Sequence, residues 1–179
     1  MEDTTLSRGK KPAERINVAY LIERVADEVN TVLNKRKKER YFDNIVLLYS
    51  FIENLLKWLI YVKVLWEKCD RTELISGKEV GSIESFCEDL SFYNSIQIAL
   101  LIDLVSLKLY RRIDRIRIDR NKFVHQLCIY TIRDDIRESR RKLEDLADVV
   151  NELVGICNKL SKEISPDLLW QMSLIGIRK

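Results

Sequence analysis

Glycine and proline are scarce in this chain, and their scarcity argues against every fold that depends on frequent tight turns. The 179 residues include five glycines and two prolines. All-β domains need turn-forming residues roughly every ten positions, because each short strand must be followed by a reversal. Long helices joined by few loops are therefore predicted. The length is sufficient for one compact domain with its own core.

Apolar residues recur at helical spacing in the first half of the chain. A first helix is predicted from about Ala13 to the high thirties. A second helix, from about Phe42 to Cys69, carries two adjacent apolar rows. Such a wide apolar face is typical of the central helix of a bundle. Glu53 interrupts the second row, and a carboxylate among apolar neighbours needs a partner.

The second half predicts shorter elements and one long final helix. A loop is expected over 70–81, because it contains two glycines. A short helix capped by Ser82 follows, with its apolar residues turned inward: Ile83, Phe86, Cys87 and Leu90. A fourth helix begins near Asn94 or Ser95, with an inward set of Ile98, Leu101, Ile102 and Val105. It either continues to about His125 or kinks within the basic stretch.

Thr131 and Asp134 are spaced as in an N-terminal cap of the final helix, which Ser165-Pro166 ends. The predicted fold class is therefore all-α, a single-domain bundle of about five to six helices. Its organisation is a flexible N-terminus over 1–12, a helical bundle over 13–164, and an apolar tail over 165–179. The tail is expected to pack on the bundle or on a partner.

The cysteines and the termini indicate a cytoplasmic protein without a metal or cofactor. No two cysteines form a CxxC pair, and the chain has one histidine, so a zinc site is not predicted. The N-terminus is polar and lacks an apolar signal-peptide core. No charge-free apolar run is long enough to cross a bilayer, so no membrane partner is expected.

Positive charge is concentrated in one segment, although the net charge is only +3. The stretch from Lys108 to His125 has two acidic residues, Asp114 and Asp119, against seven basic ones: Lys108, Arg111, Arg112, Arg115, Arg117, Arg120 and Lys122. A basic stripe on a nearly neutral protein suggests an anionic partner at one place, and a solvated helix face is the plain alternative. If RNA is that partner, the predicted contacts are Arg112, Arg115, Arg117 and Lys122.

Within this stripe, Arg120 falls on the inward row of its helix, which comprises Leu109, Ile113, Ile116, Arg120, Phe123 and Leu127. A guanidinium on a buried edge cannot lose its charge, so it must be paired or lie in a wet cleft. Glu53 is likewise a charged residue within an apolar row, on the second helix. We therefore predict an ion pair between Glu53 and Arg120.

Three polar residues, Arg120, Asn121 and His125, together suit phosphate chemistry. Asn121 and His125 share one face of a helix, and Arg120 flanks that face. Arginine recognises phosphate oxygens in a bidentate manner, and histidine titrates near neutral pH and can transfer a proton. A lone helical histidine is otherwise more often structural.

The segment Arg120-Asn121-Lys122-Phe123-Val124-His125, after a helix that contains Phe51-Ile52-Glu53-Asn54-Leu55-Leu56, resembles the HEPN superfamily. The hallmark of that superfamily is an arginine, usually followed by a polar residue, with a histidine four to six positions beyond. The resemblance extends over the helical layout of 13–164, and its specific part is six residues.

The resemblance implies a metal-independent endoribonuclease that works as a two-fold homodimer, as in toxins, abortive-infection factors and CRISPR-associated nucleases. By position, Arg120 and His125 match the catalytic pair, and Asn121 matches the polar residue after the arginine. Glu53 matches an acidic residue that some of these families carry on the second helix. RNA, a second copy of the chain and an antitoxin or regulatory protein are the implied partners.

One position departs from the family pattern. HEPN toxins controlled by a minimal nucleotidyltransferase often carry a tyrosine two residues beyond the histidine, which the antitoxin modifies. Leu127 stands there, and the nearest tyrosine is Tyr130.

Two other functions remain open: a non-catalytic helical module that binds RNA, a nucleotide or a protein, and a structural subunit.

Overall fold

The computed structural model describes residues 18–71, 75–125 and 136–164, which form an all-helical bundle. In chain order the elements are α1 (Val18–Asn34), a 3-10 turn (Lys38–Arg40), α2 (Tyr41–Arg71), α3 (Gly77–Asp89), α4 (Phe92–Leu101), α5 (Leu107–His125) and α6 (Ile136–Glu163). These six helices and the absence of strands from the described ranges confirm the predicted all-α bundle.

Helix α2 is the centre of the bundle. It packs against each of the other five helices, most extensively against α6. Its two apolar rows are mostly buried, but Val46 is exposed and Trp66 is only partly buried. Its largest buried side chains include Ile52, Leu56 and Leu59, which belong to one continuous core with the buried residues of the other helices. Burial of this wide face is the main apolar stabilisation of the domain.

Helices α4 and α5 are separate, and the break precedes the basic stretch. The amide of Leu104 donates to the carbonyl of Ala99 (2.9 Å) and that of Asp103 donates to Leu100 (3.2 Å). Asp103 has φ 54°, so it ends α4 with a left-handed residue in a Schellman arrangement. Ser106 then caps α5 by accepting from the amide of Leu109. The basic stretch therefore lies in its own helix.

The prediction for the start of α3 was wrong. Residues 77–81 are helical, and the cap is Ser76 instead of Ser82. The Ser76 hydroxyl accepts from the amide of Glu79, and the Glu79 carboxylate accepts from the amide of Ser76 (3.0 Å). This reciprocal capping box outweighs the low helix propensity of Gly77 and Gly81.

Two predicted inward residues are exposed instead. Phe86 is on the solvent side of α3, whereas Cys87 and Leu90 are buried as predicted. Leu101 is 80% exposed, because α4 ends at that residue and the chain turns away. Helix α6 ends at Glu163, just before Ser165-Pro166. The predictions for 1–12, for a start at Ala13, for the Thr131 cap and for 165–179 lie outside the described residues.

Among the described helices, α2 is long and apolar enough to cross a membrane. The stretch Tyr41–Cys69 of α2 is long enough, and its most apolar window has a mean hydropathy of 1.6. However, 56% of that window is buried inside the bundle. The central helix of a packed domain has the same length and composition. The absence of a membrane partner therefore stays a prediction.

We expect Ser76→Ala to lower the free energy of unfolding by about 1 kcal/mol, because it removes the hydroxyl of the capping box. Ser82→Ala is the matched control. The Ser82 hydroxyl only donates back to the carbonyl of Lys78 in the first turns of α3, so its loss should be nearly neutral. Urea unfolding of both variants measures the difference, and equal values would contradict the assigned cap.

The same capping box predicts a pH dependence. The hydrogen bonds from the Ser76 amide and hydroxyl, together with the nearby Lys68 ammonium, lower the pKa of Glu79. A group with a lowered pKa in the folded state adds stability above its unfolded pKa and loses it as the pH falls through the folded pKa. The difference between Ser76→Ala and the wild-type chain should therefore shrink on acidification.

Candidate functional site

The C-terminal half of α5 lies across the N-terminal half of α2. The predicted inward row of α5 is buried at Leu109, Ile113, Ile116 and Phe123. The Phe123 ring packs against Phe42, with 4.9 Å between ring centroids, and against Tyr49 at 5.8 Å. These aromatic contacts fix the rotation of α5 and thereby determine the direction of every polar side chain on it.

The predicted ion pair between Glu53 and Arg120 is present, which confirms that prediction. Nη1 of Arg120 donates to Oε2 of Glu53 at 2.6 Å. The Glu53 side chain is 16% exposed and that of Arg120 is 31% exposed, so the pair lies at the rim of the core. A charge-assisted hydrogen bond at this depth is stronger than a surface ion pair.

A second cation joins the cluster from α2 itself. Nζ of Lys57 lies 3.4 Å from Oε1 of Glu53 and donates to the backbone carbonyl of Glu88 at 3.1 Å. One carboxylate is therefore shared by two cations, and the cluster keeps a net positive charge. It also connects α2 to α5 and to the end of α3.

The Arg120 guanidinium retains capacity for an anion. A guanidinium has five N–H donors. Within the described ranges, the hydrogen bond of Arg120 is to Glu53, and its remaining contact is with the Phe92 ring, 5.8 Å from the centroid. The side chain is partly exposed, so the remaining donors are available to solvent or to a phosphate.

The backbone separates Arg120 from position 125. His125 is the last residue of α5, and its side chain lies outside the described part of the structure. Asn121 is exposed and is four residues before it, so these two positions share a face of α5. Positions 120 and 125 are about 140° apart around the helix axis. The Arg120 head group is held towards α2. The predicted clustering of the three side chains depends on His125, so it stays a prediction.

The four predicted RNA contacts divide into two kinds. Arg112 is bonded to two acidic residues of α6, Asp145 at 3.1 Å and Glu152. Arg117 is bonded to Asp114 at 2.8 Å. In contrast, Arg115 and Lys122 are exposed and make no ion pair with the rest of the described chain. Two of the four cations are therefore already neutralised by the fold.

Two aromatic residues were missed by the sequence reasoning. Phe92 and Tyr93 form the first turn of α4, where Ser91 is the cap. The Arg117 guanidinium lies over the Tyr93 ring at 5.1 Å, next to the contact of Arg120 with Phe92. An aromatic pair directly after a capping serine was a visible signal, but its proximity to α5 depends on the turn that ends α4. Lys57 was also missed, although its spacing of four from Glu53 is typical of a helical ion pair.

The thiols do not suggest reactive chemistry. Cys69, Cys87 and Cys157 are free, and burial raises the pKa of each thiol, which disfavours the reactive thiolate. Cys128 is outside the described residues. Among the residues that are described, no cluster of three or more histidine, cysteine or acidic side chains could hold a metal ion.

A double-mutant cycle on Glu53→Ala and Arg120→Ala should give a coupling energy of about 1–3 kcal/mol in unfolding experiments. The pair lies at the rim of the core, so Glu53→Ala leaves the Arg120 charge without a carboxylate partner among the described residues, whereas Arg120→Ala leaves Glu53 with Lys57. The matched control is the cycle on Arg140 and Glu144, a half-exposed pair on α6 at 2.8 Å, for which about 0.3–0.5 kcal/mol is expected. Equal coupling in the two cycles would contradict a structural role for the Glu53–Arg120 pair.

Comparisons with known proteins do not assign the chain to a family. A scan against protein-family models and searches of curated proteins and of solved structures found no match. The resemblance to the HEPN superfamily therefore rests on the six-residue motif, and function must be argued from the chemistry of the residues around Arg120.

Proposed function

We propose that this chain is one subunit of a metal-independent endoribonuclease of the HEPN type, with a toxin or defence role. The observation that carries the proposal is the Glu53–Arg120 pair. It holds a partly exposed guanidinium in a fixed position, five residues before the single histidine of the chain. Phosphodiester cleavage without a metal uses a preorganised cation together with a general acid–base residue.

Arg120 acts on the phosphate in this proposal. One of its nitrogens is occupied by Glu53, and its remaining N–H donors are directed at non-bridging phosphoryl oxygens. Negative charge on those oxygens increases as the 2′-OH of RNA attacks the adjacent phosphorus. A guanidinium that is already oriented stabilises this charge without further reorganisation. Lys57 contributes to the positive potential from the far side of Glu53.

His125 transfers protons. It removes the proton of the attacking 2′-OH or protonates the departing 5′-oxygen, while the P–O5′ bond breaks as the P–O2′ bond forms. The products are a 2′,3′-cyclic phosphate and a 5′-OH. Asn121 orients the imidazole or a phosphoryl oxygen from the same helix face.

A two-fold dimer completes the site. One imidazole cannot easily act as base and as acid on opposite sides of the phosphorus, and a second copy supplies the other. A dimer is also consistent with the positions of Arg120 and His125 on α5. Since positions 120 and 125 face different sides of that helix, a phosphate bound by Arg120 of one protomer would meet His125 of the partner.

The second candidate is a non-catalytic module that binds RNA. It is favoured by one observation: Arg115 and Lys122 are exposed on α5 and make no ion pair with the described residues, so they are available to a polyanion. Binding of RNA without cleavage separates this function from the first.

We expect His125→Ala to reduce RNA cleavage by at least about 100-fold, the typical contribution of a general acid–base residue. Arg120→Ala should cause a similar loss. Cleavage of a labelled single-stranded RNA by the purified chain is the measurement, with the helical circular dichroism signal as the check on folding. Arg40→Ala, which breaks a surface pair with Glu28, should retain the activity. Full activity of His125→Ala would remove the histidine from the mechanism.

Mixing provides a test of the shared site. An excess of the His125→Ala chain, allowed to exchange subunits with the wild-type chain, should suppress cleavage, because each mixed dimer has one imidazole where two are needed. Sedimentation of the same samples monitors the dimer. Activity that follows the amount of wild-type chain alone, with no effect of the added variant, would show that each chain works independently.

A further inference from the structure

The seven cations of α5 separate into an inner and an outer set. The inner set is Arg112, Arg117 and Arg120, and each member is bonded to a carboxylate of α6, α5 or α2, respectively. The outer set is Lys108, Arg111, Arg115 and Lys122, and all four are exposed. None of the four makes an ion pair with the described residues, although ion pairs are common elsewhere on this surface.

The outer set lies on one face of α5. Its members are spaced three, four and seven residues apart, which is the repeat of a single helical face. We call these four residues the outer basic row. With a rise of about 1.5 Å per residue, the row is about 21 Å long. Position 125 is three residues beyond Lys122, so the row leads to the place of the catalytic histidine.

Acidic residues do not cancel the charge of this row. Within the segment from Lys108 to His125 there are two, Asp114 and Asp119. Asp114 is bonded to Arg117. Asp119 is half-buried and lies beside the row, four residues after Arg115 and three before Lys122, so the row has four cations against one neighbouring carboxylate of α5. The acidic residues Asp145 and Glu152 of α6 are bonded to Arg112 on the flank of α5. The outer face therefore has a net positive charge that the fold leaves uncompensated.

We propose that the outer basic row binds the sugar-phosphate backbone of the RNA and guides it to position 125. This proposal rests on the proposed function, because it says where the RNA substrate of that nuclease binds. A line of exposed cations complements a polyanion with regularly repeated phosphates. A second copy of the chain does not fit the row, because a two-fold contact here would bring like charges together. A membrane surface fits poorly, because the main apolar face of α5 is buried in the core, and Leu107 and Ile118 are the large apolar side chains that its described residues expose.

The salt dependence of RNA binding tests whether the outer basic row itself contacts phosphates or whether the net charge of the protein is sufficient. The full chain carrying His125→Ala is titrated with a fluorescent oligouridylate at several KCl concentrations, so that binding is measured without cleavage. Adding Arg111→Ala and Arg115→Ala should weaken binding on the order of tenfold. The plot of the logarithm of the association constant against the logarithm of the KCl concentration should also become less steep, by about 1.4, since each phosphate contact to a single strand contributes about 0.7.

The matched control removes two cations from elsewhere. Arg24 on α1 and Lys78 on α3 are exposed, and their replacement by alanine changes the net charge by the same amount. This variant should keep both the affinity and the slope. Equal losses in the control and the row variant would overturn the proposal, as would an unchanged slope in the row variant.

The result can be separated from the fate of the nuclease itself. If the wild-type chain cleaves RNA but the row variant binds RNA normally, the row is wrong and the nuclease stands. If binding depends on the row but the wild-type chain does not cleave, the row stands and the nuclease fails. Row-dependent binding to phosphatidylserine vesicles without binding to RNA would overturn the proposal in favour of a membrane surface.

Discussion

A single charge-assisted hydrogen bond, from Arg120 on α5 to Glu53 on α2, determines much of what this bundle can do. Both residues interrupt apolar rows, and the Arg120 charge would be costly at the rim of the core without Glu53, which Lys57 also contacts. Their contact, together with the packing of Phe123 on Phe42 and Tyr49, fixes the rotation of α5 against the central helix. Every other polar side chain of α5 takes its direction from that rotation.

The consequence is a helix with two kinds of cation. Those on the inner edge are bonded to carboxylates, and the pairs of Arg112 and Arg120 hold α5 against α6 and α2, while the cations on the outer face remain exposed. Arg120 is intermediate: it is anchored through one nitrogen and retains donors for an anion. A residue that is both fixed and accessible is suited to stabilising a transient charge, because its orientation does not have to be established during the reaction.

Much of the fold could be predicted from the sequence because its signals are local and repeated. The apolar rows of α2 and α6 follow from helical periodicity, and the Glu53–Arg120 pair follows from two charged residues on inward positions. The break between α4 and α5 was harder to predict. It depends on a left-handed backbone conformation at Asp103, a position where glycine would have been the usual signal. The start of α3 was missed because two glycines concealed the capping box of Ser76 and Glu79.

The candidate site could be predicted only in part. Which arginines of α5 are neutralised depends on acidic residues of α6 that are more than thirty positions away in the sequence, as for Arg112. The contacts of Phe92 and Tyr93 with the arginines likewise depend on the turn that folds α4 onto α5. Helical spacing placed Asn121 and position 125 on one face, but the direction of the Arg120 head group required its partner to be located.

The most direct test of the account is the chemistry of the RNA ends that the purified chain produces. RNA would be incubated with the wild-type chain in EDTA, with the His125→Ala chain purified in parallel, and the fragments analysed by mass spectrometry. The account predicts 2′,3′-cyclic phosphate and 5′-hydroxyl ends from the wild-type chain alone. Fragments with 3′-hydroxyl and 5′-phosphate ends, or identical fragments from both chains, would contradict it.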